Sequence, residues 1–309
     1  MKNIRYQVGL VFLILTIFCA SVLLIRIINA DPAALVVPIS ETLASINIPF
    51  IHPIPKNNSL DEPIQAILND SQENYGIVVH NLKNNQNYAL NEHKVFQSGS
   101  LYKLWVMATA YDQIKNGLLR ETDILQQEIP ILNEKFNIST ENAELKEGKI
   151  TLSVSDALSQ MITISDNYAA LLLSEKVRLS NVATFLSSHG FTESKVGTDG
   201  SIPTTTPSDI AKFFTLLYQG TLIDKEYDGK MLDLLKGQQL NNKIPKNLPD
   251  NITIAHKTGE LGLFTHDAGI VFTPKNNYII AVLSETDDPL TAGQNIADIS
   301  EAVYRYFTK

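Results

Sequence analysis

The order of strand-like and helix-like segments along the chain is the feature that most constrains its fold. Two short runs with strand composition, YGIVVHNL and QNYAL, flank the turn-forming residues KNNQ and predict a β-hairpin. Three further runs rich in β-branched residues follow much later in the chain: ITIAHKTG, DAGIVFTP and YIIAVLSE. This order predicts one mixed sheet assembled from both ends of the chain, with an inserted helical lobe and a cleft between them.

Helix-like segments fill the chain between the hairpin and the last three strands. A capping box, in which Ser59 precedes Glu62 by three residues, predicts a helix ahead of the hairpin. The segment AGQNIADISEAVYRYF predicts a helix that closes the chain. Four segments are predicted to be helices of the lobe: residues 101–116, 154–162, 181–189 and 207–218.

Composition excludes several classes of function. Of the 309 residues, 44% are hydrophobic and 19% are charged, which is typical of a globular protein. The net charge of −8, without a basic cluster, argues against a nucleic-acid partner. Cys19 is the single cysteine, and the six histidines lack the spacing of metal ligands. We therefore expect no disulfide, no metal and no other cofactor.

An uncharged apolar run of 18 residues, 8–25, lies near the N-terminus. Its length approaches the span of a bilayer, whereas a cleaved signal peptide has a shorter apolar region that ends in small residues. Lys2 and Arg5 precede the run and favour a cytoplasmic N-terminus with the rest of the chain outside. We expect residues 1–29 to be a membrane anchor. The alternative is a cleaved signal, which would make the protein secreted.

Residues 30–58 contain five prolines and no helical period, which is typical of an extended linker. The remaining residues, 59–309, are predicted to form a single exported domain. The chain is then a single-pass membrane protein with its folded domain outside the cell membrane, and we expect it to be a monomer.

The segment GSLYKLW places Ser100 three residues before Lys103, at the predicted start of a buried helix. Residues three apart lie on one helix face, so the lysine amine can reach the serine hydroxyl. A serine becomes a nucleophile when a base accepts its proton, and a lysine can be that base if burial lowers its pKa. The simpler alternative is that Ser100 only caps the helix while Lys103 faces solvent.

Two more short motifs follow. Ser165 and Asn167, in the sequence SDN, lie between two apolar segments, where they form either a polar turn or a proton relay and an amide-binding group. The motif KTG, at Lys257, Thr258 and Gly259, lies at the end of a predicted strand. A lysine beside a hydroxyl suits a carboxylate, and a glycine allows another backbone to approach the strand edge. An ordinary glycine turn after a strand is the alternative.

The order SxxK, SDN and KTG is a signature of serine acyl-transfer enzymes. With these motifs the sequence resembles the class A β-lactamases and the related penicillin-binding serine hydrolases, over about residues 59–309. The spacing between the motifs, the TTTP segment and the closing helix also match. The resemblance implies an α/β (α+β) sandwich of an antiparallel sheet with flanking terminal helices and an inserted all-helical lobe.

The resemblance also implies roles in acyl transfer. Ser100 attacks the substrate carbonyl, Lys103 takes or relays its proton, and Ser165 passes a proton to the leaving nitrogen. The backbone N–H groups of Ser100 and Glu260 form the oxyanion hole, where charge develops in the tetrahedral intermediate.

The remaining motif residues are implied to hold the substrate. Asn167 binds the amide of the substrate's acyl side chain, and Lys257 and Thr258 hold its carboxylate. Gly259 and Glu260 complete the side of the site that faces the substrate carboxylate. The family often adds an arginine for the carboxylate, but this chain has none between Arg178 and Arg305. We expect His266 or His256 to help instead.

The loop before TTTP departs from the family pattern. Efficient class A enzymes carry a glutamate there, with a Leu-Asn pair three residues later, and this glutamate activates the water that clears the acyl-enzyme. In this chain the segment GFTESKVGTDGSIPTTTP is shorter and lacks that motif. Glu193 and Asp199 are its acids and the candidate deacylation bases. The simpler interpretation of both is an ordinary exposed acid.

These features predict a membrane-anchored serine hydrolase that is acylated on Ser100 by β-lactam-type amides and loses the acyl group slowly. A D-alanyl-D-alanine carboxypeptidase, or a related cell-wall peptidase or esterase, is one alternative. A module that binds β-lactam without turnover is another, although the short tail of residues 1–7 argues against a signalling receptor. The expected partners are a β-lactam or a cell-wall peptide, and the membrane.

Overall fold

The computed structural model describes residues 60–84 and 86–309. The predicted anchor, the proline-rich linker and the Ser59 cap therefore lie outside the described residues. Within the two described ranges, no helix combines the length and the apolar character needed to cross a bilayer.

Short strands and helices alternate along the domain. In chain order the elements are α1 (Asp61–Leu68), a 3₁₀ turn (Asn69–Asn74), β1 (Tyr75–Asn81), β2 (Asn87–Leu90), β3 (Phe96–Gln97), a 3₁₀ turn (Gly99–Leu101), α2 (Tyr102–Lys115), β4 (Ile124–Glu128), α3 (Ile129–Lys135), β5 (Lys149–Ser153), α4 (Val154–Thr163), α5 (Asn167–Val177), α6 (Leu179–Ser188), β6 (Thr204–Thr205), α7 (Pro207–Gln219), α8 (Lys225–Lys236), β7 (Thr253–Leu261), β8 (Phe264–Phe272), β9 (Tyr278–Glu285) and α9 (Pro289–Thr308).

The central sheet has five strands in the order β2-β1-β9-β8-β7. Strand β1 pairs with β9, with Tyr75 opposite Ser284, so both ends of the domain build one sheet, as predicted. Every pairing in this sheet is antiparallel, so the expectation of a mixed sheet is wrong and the antiparallel sheet implied by the resemblance is confirmed. The reason is that β7, β8 and β9 follow one another through short connections, which require antiparallel neighbours.

One face of the sheet packs against the two helices at the ends of the domain, α1 and α9. Alternate residues of a strand point to the same face, so Ile77 and Val79 of β1 lie beside Ile280 and Val282 of β9 in this core. The other face carries α7, which contacts β1, β8 and β9. The terminal helices and the lobe thus cover opposite faces of the sheet.

The helical lobe is built around α2. Residues 103–111 of this helix are all buried, and α2 contacts α4, α5, α6 and α8. A helix that is buried on every side lies at the centre of its lobe. The predicted helices at residues 101–116, 154–162, 181–189 and 207–218 are confirmed within a few residues.

Several elements of the lobe were not predicted from the sequence. These are α3, α8 and the β4–β5 hairpin, while α5 was recognised only as an apolar run. Helix α8 has little apolar character, but Asp224 caps it by accepting the backbone N–H groups of Glu226 and Tyr227. That cap was the available sequence signal for the missed helix.

Candidate active site

Ser100 lies in the 3₁₀ turn Gly99–Leu101, which leads directly into α2. Leu101 occupies the cap position of α2, and Ser98 precedes the turn without a capping hydrogen bond from its side chain. The alternative that Ser100 serves as the helix cap is therefore not supported. Its side chain is half-buried at the point where the turn meets the edge of the sheet.

Lys103 is completely buried near the start of α2, so the alternative that it faces solvent is wrong. Its Nζ donates hydrogen bonds to the backbone oxygen of Ser165 (2.6 Å), to the Ser165 Oγ (3.2 Å) and to Asn167 Oδ1 (2.8 Å). Burial lowers the pKa of Lys103 to about 8. An amine with that pKa is partly neutral near physiological pH and can accept a proton.

The SDN segment caps a helix and also places two polar side chains beside Lys103. Ser165 has a left-handed backbone (φ 61°), and Asp166 caps α5 by accepting the N–H of Ala169 (2.7 Å). This local geometry turns the Ser165 and Asn167 side chains toward Lys103. The polar-turn interpretation and the functional interpretation are therefore compatible, because different residues of the motif serve each.

Lys257 is also completely buried, and its Nζ donates to Ser165 Oγ (2.9 Å) and to the backbone oxygen of Thr258 (3.0 Å). Burial, and to a smaller extent the nearby charge of Lys103, lowers the pKa of Lys257 to about 7. The Ser165 hydroxyl thus lies between two amines. Through the Ser165 hydroxyl, this arrangement can pass a proton between the Lys103 amine and the Lys257 amine.

Two glycines allow the nucleophile turn to pack against the edge strand β7. A Cβ on Gly99, which has φ +48°, would lie 2.8 Å from the backbone nitrogen of Glu260. A Cβ on Gly259 would lie 2.9 Å from the backbone oxygen of Ser98. These close approaches place Ser100 beside Glu260, the two residues whose N–H groups are the predicted oxyanion donors.

Comparison with known proteins shows the family of this chain. Residues 59–307 match the model of the β-lactamase enzyme family. The chain belongs to the β-lactamase family. β-Lactamase VEB-1 of Pseudomonas aeruginosa is 22% identical over 290 residues, which cover 86% of this chain and 96% of that protein. The protein is therefore a serine β-lactamase-like hydrolase.

Two solved structures show the same fold. PBP-A superposes with a TM-score of 0.70 at 23% identity, over 81% of this chain and 96% of PBP-A. The β-lactamase from Sphaerobacter thermophilus DSM 20745 has a TM-score of 0.68 at 24% identity, over 80% of this chain and 96% of that enzyme. Both agree with an antiparallel sheet that carries an inserted helical lobe.

The two acids in the shortened loop before TTTP bind partners outside the three motifs. Glu193 accepts the hydroxyl hydrogen of Thr206 (2.9 Å) and pairs with His93 (3.1 Å). Asp199 is exposed and accepts the N–H of Ser201 (3.1 Å). In the described part of the chain, neither acid has a hydrogen bond or an ion pair to the residues of the three motifs.

The two histidines expected to help with the carboxylate are already engaged. His266 donates from Nε2 to the oxygen of Gln97 (2.8 Å) and accepts at Nδ1 from the N–H of Ser284 (3.1 Å). Burial lowers the pKa of His266 to about 4, so this ring is neutral at physiological pH. His256 is buried and bonded to Asp267 (2.9 Å).

The structure shows two charged residues at the site that the sequence did not indicate. Lys243 is only 2% exposed, and its Nζ lies 2.5 Å from Glu260 Oε1. The Lys243 amine is a further cation beside Lys257. Glu144 accepts a hydrogen bond from Asn167 Nδ2 (2.5 Å). Both residues lie in loops outside any motif, so no sequence pattern marked them.

Proposed function

We propose that Ser100 is acylated by β-lactam-type amides and that the acyl-enzyme is then hydrolysed slowly. The observation that carries this proposal is the position of the Ser165 hydroxyl between the amines of Lys103 and Lys257, at 3.2 and 2.9 Å. Two buried amines with lowered pKa values and a shared hydroxyl form a proton path next to the nucleophile turn.

The acylation step follows from this path. Ser100 Oγ attacks the amide carbonyl carbon while its proton passes to Lys103. The proton then moves through Ser165 to the nitrogen as the carbon–nitrogen bond breaks. The N–H groups of Ser100 and Glu260 stabilise the oxyanion. Lys257 and Thr258 hold the substrate carboxylate, and Lys243 adds positive charge on that side.

Among the described residues, neither of the two loop acids is placed to serve deacylation as a base. A water must be activated against the ester, but Glu193 and Asp199 are occupied by other partners. Loss of one positioned base raises the barrier by about 3–5 kcal/mol, since a general base contributes about 10²- to 10⁴-fold. The acyl-enzyme therefore accumulates during turnover.

The test is rapid mixing of the purified soluble domain with a chromogenic β-lactam. We expect a burst of about one equivalent of product, followed by slow turnover, since the barrier to deacylation is the higher one. Intact mass should show the adduct during the slow phase. Fast linear turnover without a burst would contradict slow deacylation and would require a competent base in this site.

A cell-wall peptidase is the second candidate. It is favoured by the occupied loop acids and by the structural likeness to PBP-A, of which a mutant is known as an acyl-enzyme complex with penicillin G. Release of D-alanine from a D-alanyl-D-alanine peptide, faster than hydrolysis of β-lactam, would identify this function. Acylation without release of either product would instead indicate a binding module that does not turn over.

We also propose that residues 1–29 hold the enzyme in the cell membrane, with residues 59–309 outside. The support is the 18-residue apolar run preceded by Lys2 and Arg5. Fractionation of expressing cells should find the chain in the membrane with its N-terminal segment intact. A soluble exported form that begins near Asp31 would show that the segment is a cleaved signal.

A further inference from the structure

The loop that joins α8 to β7, residues 237–252, carries Lys243 to the site. The Lys243 amine lies against Glu260, and its charge acts on Lys257. A lysine in a loop is ordinarily exposed and free to move, because burial of its amine is costly and its side chain has many rotamers. Lys243 is only 2% exposed instead. Other residues must therefore fix the backbone of this loop.

Asp267, in β8, binds that backbone directly. Its side chain is completely buried, and Oδ2 accepts the N–H of Ile244 (3.0 Å), the residue after Lys243. Ser300, in α9, donates its hydroxyl hydrogen to the backbone oxygen of Ile244 (2.8 Å). The Ile244 side chain lies in the core between the sheet and the terminal helices. The backbone next to Lys243 is thus bonded to buried side chains of the sheet and of the closing helix.

A second contact joins Asp267 to the same loop through His256. Nδ1 of His256, in β7, lies 2.9 Å from Asp267 Oδ1, and Nε2 lies 3.1 Å from Asn241 Oδ1. Gly269 stands opposite His256 in the sheet, and a Cβ there would lie 2.5 Å from the His256 Cβ. This glycine leaves room for the histidine. The Asp267 carboxylate therefore connects to the loop on both sides of Lys243.

Asp267 also acts on Lys257 through its charge. Burial is the main reason that the pKa of Lys257 falls to about 7, and the positive charges of Lys103 and Lys243 lower it too. The negative charges of Asp267 and Glu260 act in the opposite direction. Without the Asp267 charge, a larger fraction of Lys257 would be neutral and unable to bind a carboxylate.

We propose that Asp267 is a positioning residue: it fixes the loop that presents Lys243 and keeps Lys257 charged, so that two cations meet the substrate carboxylate. The inference rests on the proposed function, because that function assigns the carboxylate to this side of the site. Asp267 itself does not bind the substrate, since both of its oxygens are bonded within the protein. Its loss should therefore weaken recognition of the carboxylate and leave the proton path through Lys103 and Ser165 intact.

The test compares benzylpenicillin with its methyl ester, which differ only in the carboxylate. The second-order rate constant of acylation is measured for the full-length wild type and for Asp267→Asn, which keeps the size of the side chain. We expect about a tenfold loss with benzylpenicillin and less than about twofold with the ester, since a small displacement of a binding group has effects of this size. Asp228→Asn is the matched control. Asp228 is also buried and accepts two loop N–H groups, from Leu222 (2.9 Å) and Ile223 (3.0 Å), in a connection that carries none of the three motifs.

The pH profile separates this role from a simple loss of packing. With benzylpenicillin, the acylation rate of the wild type should stop rising near the pKa of Lys257, about 7. In Asp267→Asn this point should move to lower pH and the plateau should fall, because Lys257 loses its charge earlier. The profile with the methyl ester follows Lys103 and should not move. Asp228→Asn should have the wild-type profile with both substrates.

An Asp267→Asn variant that keeps the wild-type preference for benzylpenicillin over the ester would overturn the inference, as would equal losses on both substrates. If that variant does not fold, Asn241→Ala decides, because Asn241 is exposed and its truncation removes only the loop partner of His256. Asn241→Ala should lower the same preference by about threefold, the size of one hydrogen bond, and an unchanged preference would overturn the inference. Equally fast acylation of the wild type by the acid and its ester would contradict the proposed function itself.

Discussion

The centre formed by the three motifs and the loop before TTTP differ in how they hold their ionisable groups. In the centre, Lys103 and Lys257 are buried and converge on one hydroxyl. In the loop, Glu193 is partly exposed and Asp199 is exposed, and both bind neighbours outside the three motifs. Burial changes the pKa of a group far more than surface contacts do. The difference indicates that acyl transfer to Ser100 is preorganised, whereas attack by water on the acyl-enzyme is not.

The largest effect on acylation is expected from removal of the nucleophile. Ser100→Ala should reduce acylation by about 10⁶-fold, the loss typical of a catalytic serine. Labelling with a fluorescent penicillin and peptide mass mapping would measure it, with Ser98→Ala as a variant that should still be labelled. An adduct on Ser98 or Ser165, or labelling that survives Ser100→Ala, would refute the assignment.

The two buried lysines should differ in what they do. Lys103→Ala removes the proton acceptor, so acylation should fall by about 10²- to 10⁴-fold for carboxylate-bearing and neutral ester substrates alike. Lys257→Ala should chiefly reduce kcat/KM for substrates with a carboxylate. Steady-state kinetics with matched substrate pairs would measure both variants. Equal losses on both substrate types for both variants would contradict this division.

The packing of the nucleophile turn on β7 can be tested with a pair of glycines. Gly99→Ala forces a Cβ to within 2.8 Å of the Glu260 nitrogen, which should displace an oxyanion donor and reduce acylation by about 10²- to 10³-fold. Gly262→Ala is the control, because Gly262 also has a positive φ (+56°) but no atom within 4 Å of the added Cβ. Both variants should lose similar stability, and only Gly99→Ala should lose acylation. Equal acylation by the two would show that the close approach is not needed.

The lowered pKa values predict how acylation depends on pH. Burial brings the pKa of Lys103 to about 8 and that of Lys257 to about 7, and an amine accepts a proton only when it is neutral. Lys103 must be neutral to act as the base, whereas Lys257 must be charged to hold a carboxylate. Acylation by a neutral ester should therefore rise about tenfold per pH unit below the pKa of Lys103, about 8, and level off above it. Acylation by a carboxylate-bearing substrate should rise below about 7 and fall above about 8, because Lys257 loses its charge. Stopped-flow acylation between acidic and alkaline pH would measure this. A neutral-ester rate that is flat through this range would show that Lys103 is not the base.

The smallest effects are expected in the loop. Glu193→Gln and Asp199→Asn should each change β-lactam turnover by less than about twofold, since neither acid contacts the motif centre. Glu193→Gln also weakens the pair with His93, a surface contact that contributes about 1 kcal/mol or less to the free energy of unfolding. A large loss of turnover in either variant, with acylation intact, would identify that acid as the deacylation base.

Much of the site could be predicted because its residues lie in short motifs. Ser100 and Lys103 are held together by one helical turn, and Lys257, Thr258 and Gly259 by one strand, so their proximity is local. The loop's lack of the family glutamate was also visible in the sequence. Contacts between distant segments could not be predicted in this way. His266 or His256 was expected to help hold the carboxylate, and the structure shows both rings hydrogen-bonded to residues of neighbouring strands.

Local patterns in the sequence were sufficient to establish the family, the positions of the motifs and the assembly of the sheet from both ends of the chain. These patterns are strand and helix periodicity and a fixed spacing of reactive residues. The tertiary structure was needed to show that Ser165 lies between two buried amines, that Glu260 pairs with Lys243, and that Glu144 reaches Asn167. These contacts join loops, helices and strands far apart in the chain. Packing brings them together, and around Lys103 and Lys257 it excludes the water that would otherwise set the pKa of each amine.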